Sequence, residues 1–322
     1  MCGKAQSFAF TISVHIHLNE RKVYRLNRFI SKTALKFAKA LHFDRRMSDD
    51  NYLRLMFKVQ MGRDLNLKNP RTFNEKLQWL KLHNHDPLYT TMVDKHRVKQ
   101  WVADRIGEQY VTPTYAVWEQ AEDIDVSDLP NRFVLKTNHD SGSVAICRNK
   151  SSFDLESARK KFYKSLKRNY YWQCREWPYK NVKPLVFAEE YIDSTGSEGL
   201  SDYKFMCFNG RPDCVMLCTE RETGNPKFLF FDRDWRLMRY NIRSLSLPSS
   251  YSVDPPPALE EMFSLAEVLS YGLSFVRVDL YSIGSSIRFG EMTFFPQGGF
   301  DANLLPGADL RWGEMIDLPQ IE

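Results

Sequence analysis

An α+β fold, with helices set between antiparallel strand pairs, is what this sequence predicts, and three observations carry it. Two segments, 133–147 and 275–293, read as β-hairpins. DYKFMCFNGRPDCVMLCTE and KFLFFDRDW read as consecutive antiparallel strands. The helical segments fall between these without the strand–helix alternation of a doubly wound parallel sheet. In chain order, Thr72 and Glu75 have capping-box spacing and open FNEKLQWLKL as a helix. VDKHRVKQWVADRIG (93–107) is predicted as one amphipathic helix, with Val98, Trp101, Val102 and Ile106 on a face and Gly107 at its end. FVLKTN (133–138) and VAIC (144–147) are strands joined by the turn DSGS (140–143). Asp154 caps a helix reaching Asn169, with Leu155, Ala158, Phe162 and Leu166 facing inward. PLVFAEEYI (184–192) holds a short strand. PPPALEEMFSLAEVLSYG (255–272) starts at proline, carries an apolar face through Leu259, Met262, Phe263, Ala266 and Leu269, and stops near glycine.

In the last hairpin Val276, Val278 and Leu280 alternate with Arg277, Asp279 and Tyr281. Ile287, Phe289, Glu291 and Thr293 share one face of the returning strand. A three-residue loop of Gly284, Ser285 and Ser286 sets Asp279 opposite Glu291. Facing carboxylates repel unless a cation sits between them. Mg²⁺, which takes one or two carboxylates plus phosphate oxygens, is one solution; a solvated polar face is the other.

The chain has 322 residues, 43% hydrophobic and 26% charged, which fits a globular protein of roughly two domains. Its 6 cysteines form no CxxC pair and no zinc-like spacing, which points to a reduced, cytoplasmic setting. No signal-peptide pattern and no apolar run long enough to span a bilayer is evident. Charge is unevenly placed. Residues 21–46 hold nine Lys/Arg and one acid, so of the net +5 this segment supplies +8 and the rest sums to −3. Leu26, Phe29, Ile30, Phe37 and Leu41 recur there at helical spacing. A basic amphipathic helix suits the surface of an anionic membrane, such as the inner membrane face, or packing on its own protein. Nucleic-acid binding is not predicted, because the cluster is local and no recognised nucleic-acid motif accompanies it.

Several polar residues stand in apolar strands. Lys136 ends a strand just before a Gly/Ser turn, so its ammonium and the turn amides can cradle phosphate oxygens. Glu189 and Glu190 are adjacent in a strand and must point to opposite faces; a buried one needs a donor, such as an adenine amino group. Arg277 shares the face of Asp279 and can meet a phosphate beside the metal. A phosphate lysine, a nucleotide acid and a two-strand acid pair thus follow one another along the chain.

That order, together with FNEKLQWLKL, VDKHRVKQWVADRIG, FVLKTNHDSGS, REWPYKNVKP, FAEEYI, DYKFMCFNG and VRVDLYSIG…FGEMTF, resembles the ATP-grasp enzymes, and among them the teichuronopeptide-biosynthesis (TupA-like) branch. The resemblance covers about residues 70–310. It implies two α+β lobes clamping ATP, with an N-terminal subdomain over 71–130, a small lobe over 131–192 and a large lobe over 193–322, and the basic helical region over 1–70 precedes them. By position, Lys95 and Lys136 match the family's phosphate lysines, and Ser141, Gly142 and Ser143 stand in its flexible phosphate loop. Glu189 matches the acid that reads the adenine, Glu190, Tyr191 and Ile192 the hinge backbone, and Asp202 the acid near the ribose. Asp279 and Glu291 match the metal acids and Arg277 the arginine beside them; Arg221 is a further candidate for the acyl-phosphate. Two departures stand out. Thr293 occupies the place of a metal-ligating asparagine, and Asp140 puts an acid in the phosphate loop. The implied activity is ligation of a carboxylate to an amine with ATP and Mg²⁺, on a carboxylate-bearing saccharide or an amino acid of a cell-surface polysaccharide or its precursor. Rival readings are a metal-dependent glycosyltransferase using Asp232-Arg233-Asp234, a phosphotransferase, and a nucleotide-binding protein without ligase activity.

Overall fold

The computed structural model describes residues 43–193, 201–219 and 227–320. The chain divides into two compact units, Met1–Leu65 and Asn66–Glu322. In the first, the basic segment lies outside the described residues except for a 3₁₀ turn, Phe43–Arg46. Helix α1 (Asp49–Met61) follows; Ser48 caps it by accepting the Asn51 N–H at 3.3 Å, and Gly62 ends it with φ of 76°. No helix among the described residues is long and apolar enough to cross a membrane.

The second unit opens on α2 (Phe73–His83). Its capping box forms as the sequence predicts: Thr72 Oγ1 accepts the Glu75 N–H at 3.3 Å, and the Glu75 carboxylate accepts the Thr72 N–H at 3.1 Å. Thr72→Ala should therefore lower stability by about 1 kcal/mol, read as a lower urea midpoint at unchanged m-value. Thr72→Ser should retain most of that stability.

The single helix expected over 93–107 is instead two, α3 (Leu88–Val93) and α4 (Val98–Ile106). Asp94 breaks it. Its backbone is extended (φ −74°, ψ 105°), and its Oδ1 accepts the N–H groups of His96 at 2.9 Å and Arg97 at 3.0 Å. A carboxylate that caps the next turn competes with helix continuation.

A four-stranded antiparallel sheet then forms from β1 (Thr114–Trp118), β2 (Phe133–Thr137), β3 (Val144–Cys147) and β4 (Val186–Glu190), in the order β1-β4-β2-β3. Between β3 and β4 lie α5 (Leu155–Leu166) and the single turn α6 (Tyr171–Cys174). Asp154 caps α5 as expected, although the helix stops at Leu166 rather than Asn169. Ala158 and Phe162 of α5 share a core with Phe133, Leu135, Val186 and Ala188 of the sheet.

The second sheet is six-stranded and antiparallel: β5 (Ser201–Phe208), β6 (Arg211–Thr219), β7 (Lys227–Phe231), β8 (Leu237–Met238), β9 (Phe275–Ile283) and β10 (Ser286–Thr293), in the order β10-β9-β5-β6-β7-β8. Helix α7 (Leu259–Ser270) buries Met262, Phe263, Ala266 and Leu269 in the larger core, with Phe263 edge-on to Phe205 at 5.0 Å. Burial of each such side chain contributes about 1.5–3 kcal/mol. Helix α8 (Pro306–Glu314) inserts Trp312 among Phe73, Phe208 and Phe230.

Asp279 does stand opposite Glu291, but by a different route from the one expected. The turn holds two residues, Gly284 and Ser285, with Gly284 at φ 59°, as tight hairpin turns require. That register alone would face Asp279 with Gly290. A bulge between Phe289 and Glu291 restores the acid pair. Glycine fits the bulge because a Cβ at 290 would lie only 3.0 Å from the Asp279 carbonyl oxygen.

Candidate active site

The break at Asp94 explains how Lys95 reaches the site. Asn138, fully buried after β2, donates through Nδ2 to Asp94 Oδ2 at 2.9 Å, and its carbonyl accepts the Lys95 N–H at 3.0 Å. Lys95 Nζ then donates to the Asp140 carbonyl at 2.7 Å and lies 3.6 Å from Glu291 Oε2. The Asp140 carboxylate accepts from Thr137 Oγ1 at 2.5 Å and from the hydroxyls of Ser143 and Ser165 at 2.6 Å each. Burial alone would raise its pKa; the hydroxyls of Ser143, Ser165 and Thr137 outweigh burial and hold it below the ordinary range. The acid thus anchors the Ser141–Ser143 turn through hydroxyl groups.

Lys136 and Glu189 meet across the β2–β4 pair in an ion pair, and Lys99 of α4 donates to the other Glu189 oxygen at 2.8 Å. Lys99 also donates to the Thr112 carbonyl at 2.9 Å and to Thr114 Oγ1 at 2.8 Å. Burial pushes the Glu189 pKa up, but Lys136 and Lys99 together more than offset it and hold it low. Lys99 itself is lowered, chiefly by burial.

The other side of the site rests on the six-stranded sheet. Lys204 of β5 pairs in register with Asp279 of β9 and forms ion pairs with both Asp279 and, at 2.5 Å, Asp202. Arg277 donates from Nε to Asp279 Oδ1 at 2.6 Å and from Nη2 to Asp279 Oδ2 at 2.7 Å, Glu291 Oε1 at 2.9 Å and Thr293 Oγ1 at 3.0 Å. The cation between the facing acids is therefore a guanidinium. Burial works against both charges. Lys95, Arg277 and Lys204 nonetheless hold Glu291 down at about 2, while Asp279 and Glu291 keep Arg277 more firmly protonated than a free guanidinium.

These elements enclose one cleft of about 320 Å³. Of the residues singled out in the sequence, Lys95, Lys136, Ser141, Gly142, Ser143, Glu189, Ile192, Asp202, Asp279 and Glu291 line it. Arg277 and Thr293 stand beside these acids, bonded to them. Glu190 points the other way along β4, and Tyr191 packs near the Arg132 guanidinium, 5.4 Å from its ring centroid. Arg221 lies outside the described residues. Asp232-Arg233-Asp234 sits at the β7–β8 turn, where Asp232 Oδ1 accepts the Arg236 N–H at 2.8 Å and Asp234 pairs with Arg236; none of the three lines the cleft.

Sequence reading missed Lys99, Lys204 and Glu176. Lys204 was within reach, since it lies two residues from Asp202 on the same strand face. Glu176 is buried in the stretch REWPYKNVKP; burial pushes its carboxyl up to about 7, against Lys81 and Lys95 and with Glu291 adding to the rise.

Asp279, Glu291 and the Thr293 hydroxyl are hard oxygen donors, the kind Mg²⁺ takes. Among the described residues no group of three or more His, Cys, Asp and Glu side chains could hold a metal by itself.

The cleft is thus lined by lysines, by the Ser141–Ser143 turn of one hairpin and by the acid pair of another. The chain belongs to the TupA-like ATPgrasp family, whose description matches residues 75–317. No curated protein matches the sequence. Solved structures similar to it include D-alanine–D-alanine ligase from Helicobacter pylori, at 14% identity over 76% of this chain and 69% of that one, with a TM-score of 0.42. D-cycloserine synthetase DcsG is 18% identical over 71% of this chain and 70% of that one, with a TM-score of 0.39. The ATP-grasp ligase PsnB, complexed with minimal precursor, Mg and ADP, is 12% identical over 68% of this chain and 57% of that one, with a TM-score of 0.35. Family membership rests on the sequence match.

Proposed function

We propose that this protein is an ATP-dependent carboxylate–amine ligase that joins an amino acid or amine to a carboxylate of a cell-surface polysaccharide or its precursor. The observation that carries the reading is the cleft itself, where Lys95, Lys136 and Lys204, from three separate elements, converge beside Asp279 and Glu291. Activating a carboxylate with a phosphoryl group brings anions together, and clustered fixed cations offset that repulsion. Lys95, Lys136 and the amides of Ser141–Ser143 bind the phosphates. The backbone of Glu190–Ile192 receives the adenine, and Asp202 faces the ribose. Arg277 orients Asp279 and Glu291, the residues that with Thr293 would hold Mg²⁺. That ion would supply charge neutralisation at the phosphates. ATP supplies the phosphoryl group that makes the carboxylate an acyl-phosphate, from which the amine displaces phosphate. Residues 131–192 and 193–322 act as the lobes that exclude water while this happens.

Incubation with Mg-ATP, uronic or amino-acid carboxylates and hydroxylamine tests the reading. ADP release that depends on the carboxylate and is accompanied by hydroxamate is expected. Asp279→Asn and Glu291→Gln should each lower turnover by about 10²–10³-fold, the scale of removing a preorganised charge. Turnover of a sugar nucleotide without ATP use would overturn the proposal.

A further inference from the structure

A second cleft of about 440 Å³ lies against the same loop, on the side of α5, lined by Ser141–Ser143, Ser157, Ser165, Lys160, Lys161, Lys164 and Arg168. No acid lines it. Residues 155–168 carry six Lys/Arg and one acid, Glu156. Glu156 pairs with Arg159 at 3.0 Å, and Lys167 turns onto the Tyr163 ring, so these charges are engaged away from the cleft. Lys161 donates to the Val144 carbonyl at 2.5 Å, tying the helix to the base of the hairpin. Lys160, Lys164 and Arg168 are exposed, and among the described residues none of them is ion-paired to an acid.

Lys160 and Lys164 stand four apart on one face of α5, and Arg168 follows two residues past the helix end. Like charges at that spacing repel and destabilise the helix. The α5 dipole favours cations in its last turn, which accounts for Lys164 but not for Lys160 or Lys161 in mid-helix. A single carboxylate would compensate only one of the four cations. A diphosphate brings two or more negative charges and several acceptor oxygens into one small volume, and ammonium and guanidinium groups suit it; the Ser143 and Ser165 hydroxyls already donate to Asp140.

We propose that this cleft binds the diphosphate group of the acceptor substrate, so that the acceptor straddles the Ser141–Ser143 loop with its reacting carboxylate in the ATP cleft. Assigning the ligand to the acceptor rests on the ligase reading; the binding of diphosphate does not.

Calorimetric titration of inorganic pyrophosphate into the full chain, alone and saturated with a non-hydrolysable ATP analogue and Mg²⁺, tests it. Pyrophosphate should still bind the saturated protein, and more weakly as salt rises. Lys160→Gln and Lys164→Gln should each weaken that binding about tenfold, the scale of one charge-assisted hydrogen bond, and leave affinity for the ATP analogue unchanged. These exposed changes should leave the protein folded, with the unfolding midpoint equal to the wild type's or slightly above it as the repulsion is relieved. Full competition by the analogue, or equal weakening of pyrophosphate and analogue, would overturn the second site. UDP and geranyl diphosphate distinguish the sources: preference for UDP assigns a nucleotide-linked acceptor, preference for geranyl diphosphate a lipid-linked one, and equal binding recognition of the diphosphate alone. Failure of the analogue to bind would count against the ligase reading, while the titration on the free protein still decides this one.

Discussion

Replacing Arg277 with methionine is expected to remove about 3–5 kcal/mol of stability and to lower kcat/KM by at least about 10²–10³-fold. The guanidinium makes four hydrogen bonds: two to Asp279, one to Glu291 and one to Thr293. The Asp279 side chain is 2% exposed, so water cannot replace the lost cation. Lys204 would remain, but Asp202 already shares it. The two carboxylates would then face each other across the β9–β10 pair, in register, with no cation bonded to both, since Lys95 reaches Glu291 alone and Lys204 pairs with Asp279. Glu291, held at about 2 with Arg277 among its supports, should titrate at a higher pH in the variant. Arg277→Lys separates charge from geometry. A lysine keeps the cation but has no planar fork to bond both acids at once, so an intermediate loss is expected in both readouts. Urea unfolding and steady-state kinetics on the variants decide the matter. Methionine at 277 with stability within 1 kcal/mol and half the activity would remove Arg277 from the centre of the site.

The parts of this molecule legible in the sequence are those fixed by short-range periodicity and capping. The Thr72–Glu75 box, the α5 and α7 faces and the strand alternation of β9 all depend on residues within a few positions of one another. The acid pair was legible too, though through a compensating error: a turn one residue shorter than expected is offset by a bulge one residue long. What escaped was set by contacts distant along the chain. Lys99 finds Glu189 across 90 residues, and Lys204 finds Asp279 across 75. No local pattern announces such partners, because strand order β10-β9-β5 decides which lysine neighbours which acid. The break at Asp94 has the same origin. Its other oxygen accepts from Asn138, 44 residues away, and that tie holds the kink against the end of β2. β1 and α8 went unread for local reasons. The first buries none of its residues fully, and the second carries Gly307 and Gly313 with few apolar positions. Gly313 is needed because a Cβ there would sit 2.0 Å from the Arg71 carbonyl oxygen.

Glu189→Gln should change how stability depends on pH, not only its size. In the wild-type chain Lys99 and Lys136 lower the Glu189 pKa despite burial. Unfolded, a glutamate titrates near 4.3, so the clamp contributes fully above about that pH and is lost as pH falls through the lower folded value. The glutamine variant lacks this term, and the stability gap between the proteins should therefore close in acid. At neutral pH it should be wide, about 3–5 kcal/mol, since two ammonium groups are left at the cleft wall without their acid. Lys99 is already lowered by burial, with Glu189 opposing and Lys136 adding to the effect. Without Glu189 it falls further. A lysine whose folded pKa is depressed binds fewer protons folded than unfolded, so the variant should gain stability as pH rises toward the ordinary lysine value of about 10.4. Urea unfolding of both proteins from pH 3 to 9 reads the difference. Parallel curves over that range would mean that Glu189 is not held by the two lysines in solution.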